Sequence, residues 1–307
     1  MSDQKSLIQE AGIESVLQDP ETAHLVLDVN KVLQRNLVPG LKVETSEETD
    51  GVRALIRVEA GAIIRKPVHL CFGVSKPEAL QRIILQIEIG GGAVMDVLAH
   101  CIFPQAVDIQ HIMEADITIG DGGRYSYLES HIHSDEGGLE VLPKTHVTLG
   151  ERSRFKTEFQ LVRGRVGRIA IDYEAVCEKD SVLEMISKIS GRQDDQIQIR
   201  ETGILRGEGA RGYLTSRVSA RDNARADVYN KLVATAAGAR GHVDCQEIIK
   251  DRGVVSAVPV VEVRHPQAHI THEAAIGSVD HKQLETLMSR GLDEDGASDL
   301  IISGLLA

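Results

Sequence analysis

Hydrophobic positions along the chain follow three successive patterns. Over residues 1–40 they recur at helical spacing, as Leu7, Ile8, Ile13, Val16 and Leu17 and then Leu25, Val26, Val29, Val32 and Leu33, before Pro39-Gly40. This predicts an N-terminal helical segment. From Leu41 the pattern becomes alternation, as in residues 52–58 and 82–89, which predicts strands. The last extended run covers residues 254–263, so the strand region spans 41–263. Residues 264–307 then predict a helical segment of two helices. Asp280 and Gln283 start the first, Leu284, Leu287 and Met288 form its apolar face, and Arg290-Gly291 stops it. The second begins at residues 293–295 and is expected to bury Ala297, Leu300, Ile301 and Gly304.

Within the strand region a unit repeats: an apolar residue, a Gly-rich turn, one small residue, then alternation. The small residue is Ala93, Gly123, Ser153, Gly167, Ser181, Ala210, Ala224 and Ala239, at separations of 30, 30, 14, 14, 29, 14 and 15. Weaker copies fall at Gly137 and near Asp195. A unit of about 14 to 15 residues holds a turn and one strand, too little for a strand plus a helix at about 3.3 Å per strand residue. Two units make a coil of about 29, and stacked coils make a parallel β-helix in which neighbouring strands satisfy each other's backbone groups. The glycines are therefore turns. No GxxxxGK[ST] phosphate loop occurs, so the chain is not itself a P-loop ATPase.

Composition agrees with a thin solenoid core. Hydrophobic residues make up 42% of the 307 positions, aromatics only 3%, with no Trp and 28 Gly. A net charge of −12 without a dense basic run argues against a nucleic-acid partner. No run approaches the roughly 20 apolar residues of a membrane span, and the first residues lack a signal-peptide pattern. A cytoplasmic location is expected. Cys71, Cys101, Cys177 and Cys245 are too far apart for a CxxC knuckle or a disulfide framework, so free thiols are expected.

The segment His269-Ile-Thr-His-Glu-Ala-Ala-Ile-Gly-Ser-Val-Asp-His-Lys-Gln-Leu, followed by Ser289-Arg-Gly-Leu and residues 297–304, resembles the C-terminal signature of the SufB and SufD family. The resemblance extends upstream to about Leu41. It implies a mainly β protein, a right-handed parallel β-helix with helical segments at both ends. It also implies a scaffold, not an enzyme, on which a transient iron-sulfur cluster is built with SufC, an ABC-type ATPase that hydrolyses the ATP and docks on the C-terminal helices. Leu284, Leu287, Met288, Arg290, Leu300 and Ile301 are the expected docking residues.

By position the family's cluster residues map to Cys245, His272 and Glu273. Glu273 lies 28 residues beyond Cys245, close to one coil, so the two are expected on one face of neighbouring strands about 4.8 Å apart. Thiolate, imidazole and carboxylate suit iron and sulfide chemistry. His265 and His269 lie near the same signature.

Where many family members carry aromatics in the first C-terminal helix this chain has Glu285-Thr286, and Gly304-Leu305 replaces a terminal Gly-Phe. Shorter than typical members, it resembles a compact archaeal-type homologue, expected to pair with itself or with a SufB- or SufD-like paralogue. Flavin binding, cluster type and sulfur donor stay open.

A second candidate metal set is Glu129, His131 and His133, which alternation puts on one strand face. An exposed strand face would explain the same spacing without metal. Two other classes use this fold. Polysaccharide-active β-helices line a groove with acids and aromatic sugar platforms, which the absence of Trp disfavours. A purely structural β-helix would lack both the C-terminal helices and the Cys245, His272, Glu273 set. A cupin-like reading of the HxH pair does not fit the period.

Overall fold

Alternation along the chain resolves into two facing sheets. The computed structural model describes residues 12–306. After a single helical turn α1 (Glu14–Leu17), the strands are β1 (His24–Asp28), β2 (Lys31–Asn36), β3 (Leu41–Glu47), β4 (Gly51–Val58), β5 (Val68–Gly73), β6 (Glu78–Ile89), β7 (Val94–Phe103), β8 (Asp108–Ile119), β9 (Arg124–His133) and β10 (Leu139–Leu149). They continue as β11 (Arg154–Arg163), β12 (Gly167–Cys177), β13 (Val182–Gly191), β14 (Gln196–Leu205), β15 (Arg211–Ala220), β16 (Arg225–Ala234), β17 (Arg240–Ile249), β18 (Val254–Val263) and β19 (His269–Ser278). Two helices follow, α2 (His281–Met288) and α3 (Glu294–Leu306).

From β5 onward odd strands stack in a ten-stranded sheet and even strands in a nine-stranded one, so each coil contributes one strand to each. This is the parallel β-solenoid that the repeat predicts. Inward positions are sealed, as in Ile197, Ile199 and Leu205 of β14, while outward ones stay wetter. At the bends, Ala93, Ser153, Ser181, Ala210, Ala224 and Ala239 are all fully buried. Gly207 shows why small residues belong there: a Cβ would lie 2.0 Å from the Lys179 backbone nitrogen of the preceding coil.

The ends differ. At the first coils, antiparallel strands close both sheets, β2 against β1 and β3 against β4. At the other end β18 and β19 are bare edges. Val254, Val258, Val263 and Ile276 are exposed there.

Two boundaries differ from expectation. The N-terminal segment is not helical beyond α1: Leu25 and Val26 lie on β1, and Val32 and Leu33 on β2. The predicted helical residues Leu7 and Ile8 lie outside the described residues. A short apolar run fits strand or helix equally, and here Leu25, Val26 and Leu27 are buried on both faces. Leu25 and Leu27 point into the core, while Val26 packs outside with Ile13 and Cys71 under α1.

At the other terminus, residues 264–307 are not wholly helical. His269–Ser278 forms β19, paired in parallel with β17, whose backbone edge it satisfies as the last strand of that sheet. The helices do start where expected. The Asp280 side chain accepts from the Gln283 backbone N–H at 2.8 Å, and Gly291 takes φ +99° past the end of α2. In α3 the buried residues are Ala297, Ser298, Ile302 and Leu306. Leu300 and Ile301, expected inside, belong to the opposite face, with Leu300 53% exposed. Ion pairs Arg221–Asp299 and Lys250–Asp295 tie α3 to the side of the solenoid, leaving its end uncovered.

Candidate functional site

Polar side chains that point into a solenoid core have nowhere to find water, so each must be answered from a neighbouring strand. Among the described residues, two such groups stand out inside this core.

The first lies at the uncapped end. Cys245 on β17 points inward and is fully buried. Asn230 Nδ2 on β16 faces its Sγ at 3.9 Å. Ser216, its register partner in the preceding coil, donates to Glu247 Oε1 at 2.9 Å. One coil further back Ser187 donates to Glu201 at 2.7 Å. Burial pushes the Cys245 thiol up to about 11 and the Glu201 and Glu247 carboxyls up to about 7. Cys71 and Cys177 stand higher, at about 12, also through burial.

The terminal strand β19 corrects the expected grouping. Cys245 pairs with Ala274, 29 residues on, and Glu273 pairs with Asp244. A coil of 29 in place of 28 turns Glu273 to the outer face, since a one-residue slip reverses every side chain. There Asp244 is already held by Arg217 at 2.5 Å. His272, paired with Val243, shares the inward face with Ala274 and lies two residues from it. Both His272 and Glu273 are exposed. His265 accepts the Gln267 backbone N–H in the preceding turn, and His269 pairs with Arg240 at the start of β19.

The second group lies in earlier coils, on β7, β8 and β9. Glu129, His131 and His133 do share one strand face, but it is the inner one: they are 1%, 2% and 6% exposed. Cys101 on β7 sits beside His131 in register, and His111 on β8 faces them from the other sheet. Cys101 Sγ lies 3.5 Å from Glu129 Oε1 and 4.0 Å from His111 Nε2. Glu129 Oε1 is also 2.8 Å from His131 Nε2, and Oε2 has no partner. Ligand atoms of Cys101, His111 and Glu129 all fall within 4.8 Å of one another. Phe72, Phe103 and Phe159, three of the four Phe in the chain, pack their rings against these histidines.

The partners fix the tautomers. Gln81 donates its amide to the carbonyls of Val29 and Gly73, so its oxygen accepts from His111 Nδ1–H at 2.8 Å and leaves Nε2 bare. The Arg165 carbonyl accepts from His133 Nδ1–H at 3.0 Å, and His133 Nε2 must then accept from His131 Nδ1–H at 3.0 Å. His131 Nε2 is left bare against Glu129. Burial lowers His111 and His131 to about 3 and raises Glu129 to about 7. His133 is spent on this relay and does not face Cys101.

Sequence reasoning missed Cys101, His111 and Gln81. The register signal was present, since Cys101 and His131 are 30 residues apart, one local coil, but a buried thiol is ordinarily only a small hydrophobe.

On the outside, Leu287 of α2 and Leu300 and Ile301 of α3 line one groove with Asp280, Lys282, Gln283 and Thr286. Leu284 is half-buried, and Met288 and Arg290 are exposed.

Comparison with known proteins places the chain in a family. The family model described as the SUF system FeS cluster assembly, SufBD core domain, matches residues 73–305. An iron-sulfur cluster assembly SufBD family protein of Methanocaldococcus jannaschii is 37% identical over 267 residues, covering 87% of this chain and 84% of its own. Another, from Pyrococcus horikoshii, is 35% identical over 300 residues, covering 98% and 91%. The iron-sulfur cluster assembly protein SufB of Bacillus subtilis is 26% identical over 164 residues, 43% of this chain and 35% of its own.

Proposed function

This chain belongs to the SufBD family of iron-sulfur cluster assembly proteins, and from that premise we propose that it is the scaffold on which a cluster is built, at the uncapped end of the solenoid. The cluster is cargo, assembled and passed on. The observation that carries the placement is that Cys245, a sealed thiol, lies one strand beneath β19, a terminal strand whose inward face opens to solvent beyond Ile270. Cys245 supplies the thiolate, its charge met by the Asn230 amide. His272 supplies a neutral imidazole on the same inward face. Glu273 on the outer face completes a site only across a second chain, and the bare apolar edges of β18 and β19 suit a second copy or a paralogue seated end to end.

The α2–α3 groove suits a partner helix that docks through apolar anchors, and a SufC-type ATPase is the proposed occupant. ATP hydrolysis then belongs to that partner, in keeping with the lack of a phosphate loop here.

Anaerobic reconstitution with ferrous iron and sulfide tests the site. The parent chain should gain an oxygen-sensitive visible absorption that Cys245→Ser loses. Equal iron and sulfide in the two proteins would overturn the placement. Failure of the chain to bind or stimulate any SufC-type ATPase would overturn the partnership.

A further inference from the structure

We propose that Cys101, His111 and Glu129, with His131 hydrogen-bonded beside Glu129, form a second, independent site that holds one divalent transition-metal ion of the zinc or ferrous class inside the N-terminal half of the solenoid. The proposal does not rest on the cluster site at Cys245, which belongs to later coils.

Three observations carry it. The first is the donor set. Thiolate sulfur, imidazole nitrogen and carboxylate oxygen converge from three strands and two sheets, which a surface cluster of acids would not provide. With metal–sulfur and metal–nitrogen bonds of about 2.3 and 2.0 Å, the edges of a tetrahedron are about 3.5 Å. Cys101 Sγ is 3.5 Å from Glu129 Oε1 and 4.0 Å from His111 Nε2, and the three ligand atoms all lie within 4.8 Å of one another, so a central ion would draw together groups that already converge.

The second is polarity without partners. Glu129 is 1% exposed and its Oε2 bonds to nothing. His111 Nε2 and His131 Nε2 carry lone pairs, because their Nδ1 atoms are committed to Gln81 and His133 as donors. Acceptor atoms gathered in a sealed core, with too few donors for their lone pairs, suit a cation. One divalent ion neutralises a thiolate and a carboxylate together, leaving no net charge in the apolar interior.

The third is the outer support. Metal-bound imidazoles donate their other nitrogen to a carbonyl or carboxylate that fixes ring and tautomer. Gln81 does this for His111, itself anchored on the carbonyls of Val29 and Gly73. His133, anchored on the Arg165 carbonyl, does it for His131. Phe72, Phe103 and Phe159 exclude water around the group.

Because the site is sealed, the ion enters as the chain folds. The full chain is therefore expressed in three media, supplemented with zinc, ferrous iron under anaerobic conditions, or cobalt, then dialysed against a strong chelator and analysed for metal. The expected result is about one retained ion per chain, released only on unfolding. The zinc and iron arms identify the native ion. The cobalt form should show a thiolate-to-metal charge-transfer band and tetrahedral visible bands.

Cys101→Ser should abolish the charge-transfer band, and Cys245→Ser should leave it intact, which separates this site from the cluster site. Gln81→Leu touches no ligand atom and should lower retention against chelator roughly 10- to 100-fold. Less than a tenth of an equivalent of every metal in the folded parent, or a charge-transfer band that survives Cys101→Ser, would overturn the assignment.

Discussion

Replacing Glu201 by Gln isolates what one buried carboxyl costs this solenoid. Glu201 is 1% exposed on the inward face of β14, its Oε1 accepts from Ser187 at 2.7 Å, and its Oε2 is unpartnered. Burial raises its pKa from 4.5 to about 7. The unfolded chain gives up this proton near pH 4.5, while the folded chain holds it to about pH 7. Between those values the folded state binds more protons, so stability falls as pH rises. Below the window both states are protonated and the group costs nothing. Above it the full difference applies, about 3 kcal/mol at roughly 1.36 kcal/mol per pH unit. Gln keeps the acceptor for Ser187 and cannot ionise. The unfolding free energy of Glu201→Gln relative to the parent should therefore improve by about 3 kcal/mol between pH 4.5 and pH 8. Guanidinium unfolding followed by far-ultraviolet circular dichroism, at fixed ionic strength and protein concentration, measures it. Glu129 and Glu247, also raised to about 7, are common to both proteins and cancel. Cys245 and Tyr173, the titratable neighbours, stay neutral throughout because burial raises both. A difference that is flat from pH 4.5 to pH 8 would refute the reasoning, because it would mean the ionised carboxylate is hydrated in place.

Other substitutions test the stacking, the core, the helical tail and the outer face of β19. Gly207→Ala should unfold the chain or lower its melting temperature sharply, because the new methyl would meet the Lys179 backbone of the coil behind it; unchanged thermal denaturation would argue against such close bends. Phe159→Ala, at a ring 1% exposed, should cost about 3–5 kcal/mol in chemical denaturation. Asp280→Ala removes the N-cap of α2 and should cost about 1 kcal/mol locally, seen as faster amide exchange in residues 281–288 with the solenoid unaffected. Glu273→Ala should leave reconstitution of the monomeric chain unchanged and lower it in the paired form, compared by size-resolved iron content. A loss in both would show that Glu273 reaches Cys245 within one chain.

The sequence alone determined the solenoid. A 14 to 15 residue period and its small bend residues admit only short strands and turns, and inward positions then follow from parity. The Asp280 cap and the Gly291 stop were legible because capping is local chemistry. What depends on a count accumulated over a whole coil was not legible. Coils here pair at offsets such as 28 from Arg168 to Gln196, 29 from Cys245 to Ala274 and 30 from Cys101 to His131. One residue of difference sends Glu273 outward and brings Cys101 beside His131. The run at Leu25–Leu27 was ambiguous for a related reason, since only a neighbouring strand and the covering turn at Ile13 decide that both of its faces are buried. Local pattern sets which way each side chain points along its own strand; register, fixed by turn lengths and packing between distant segments, decides which side chains meet.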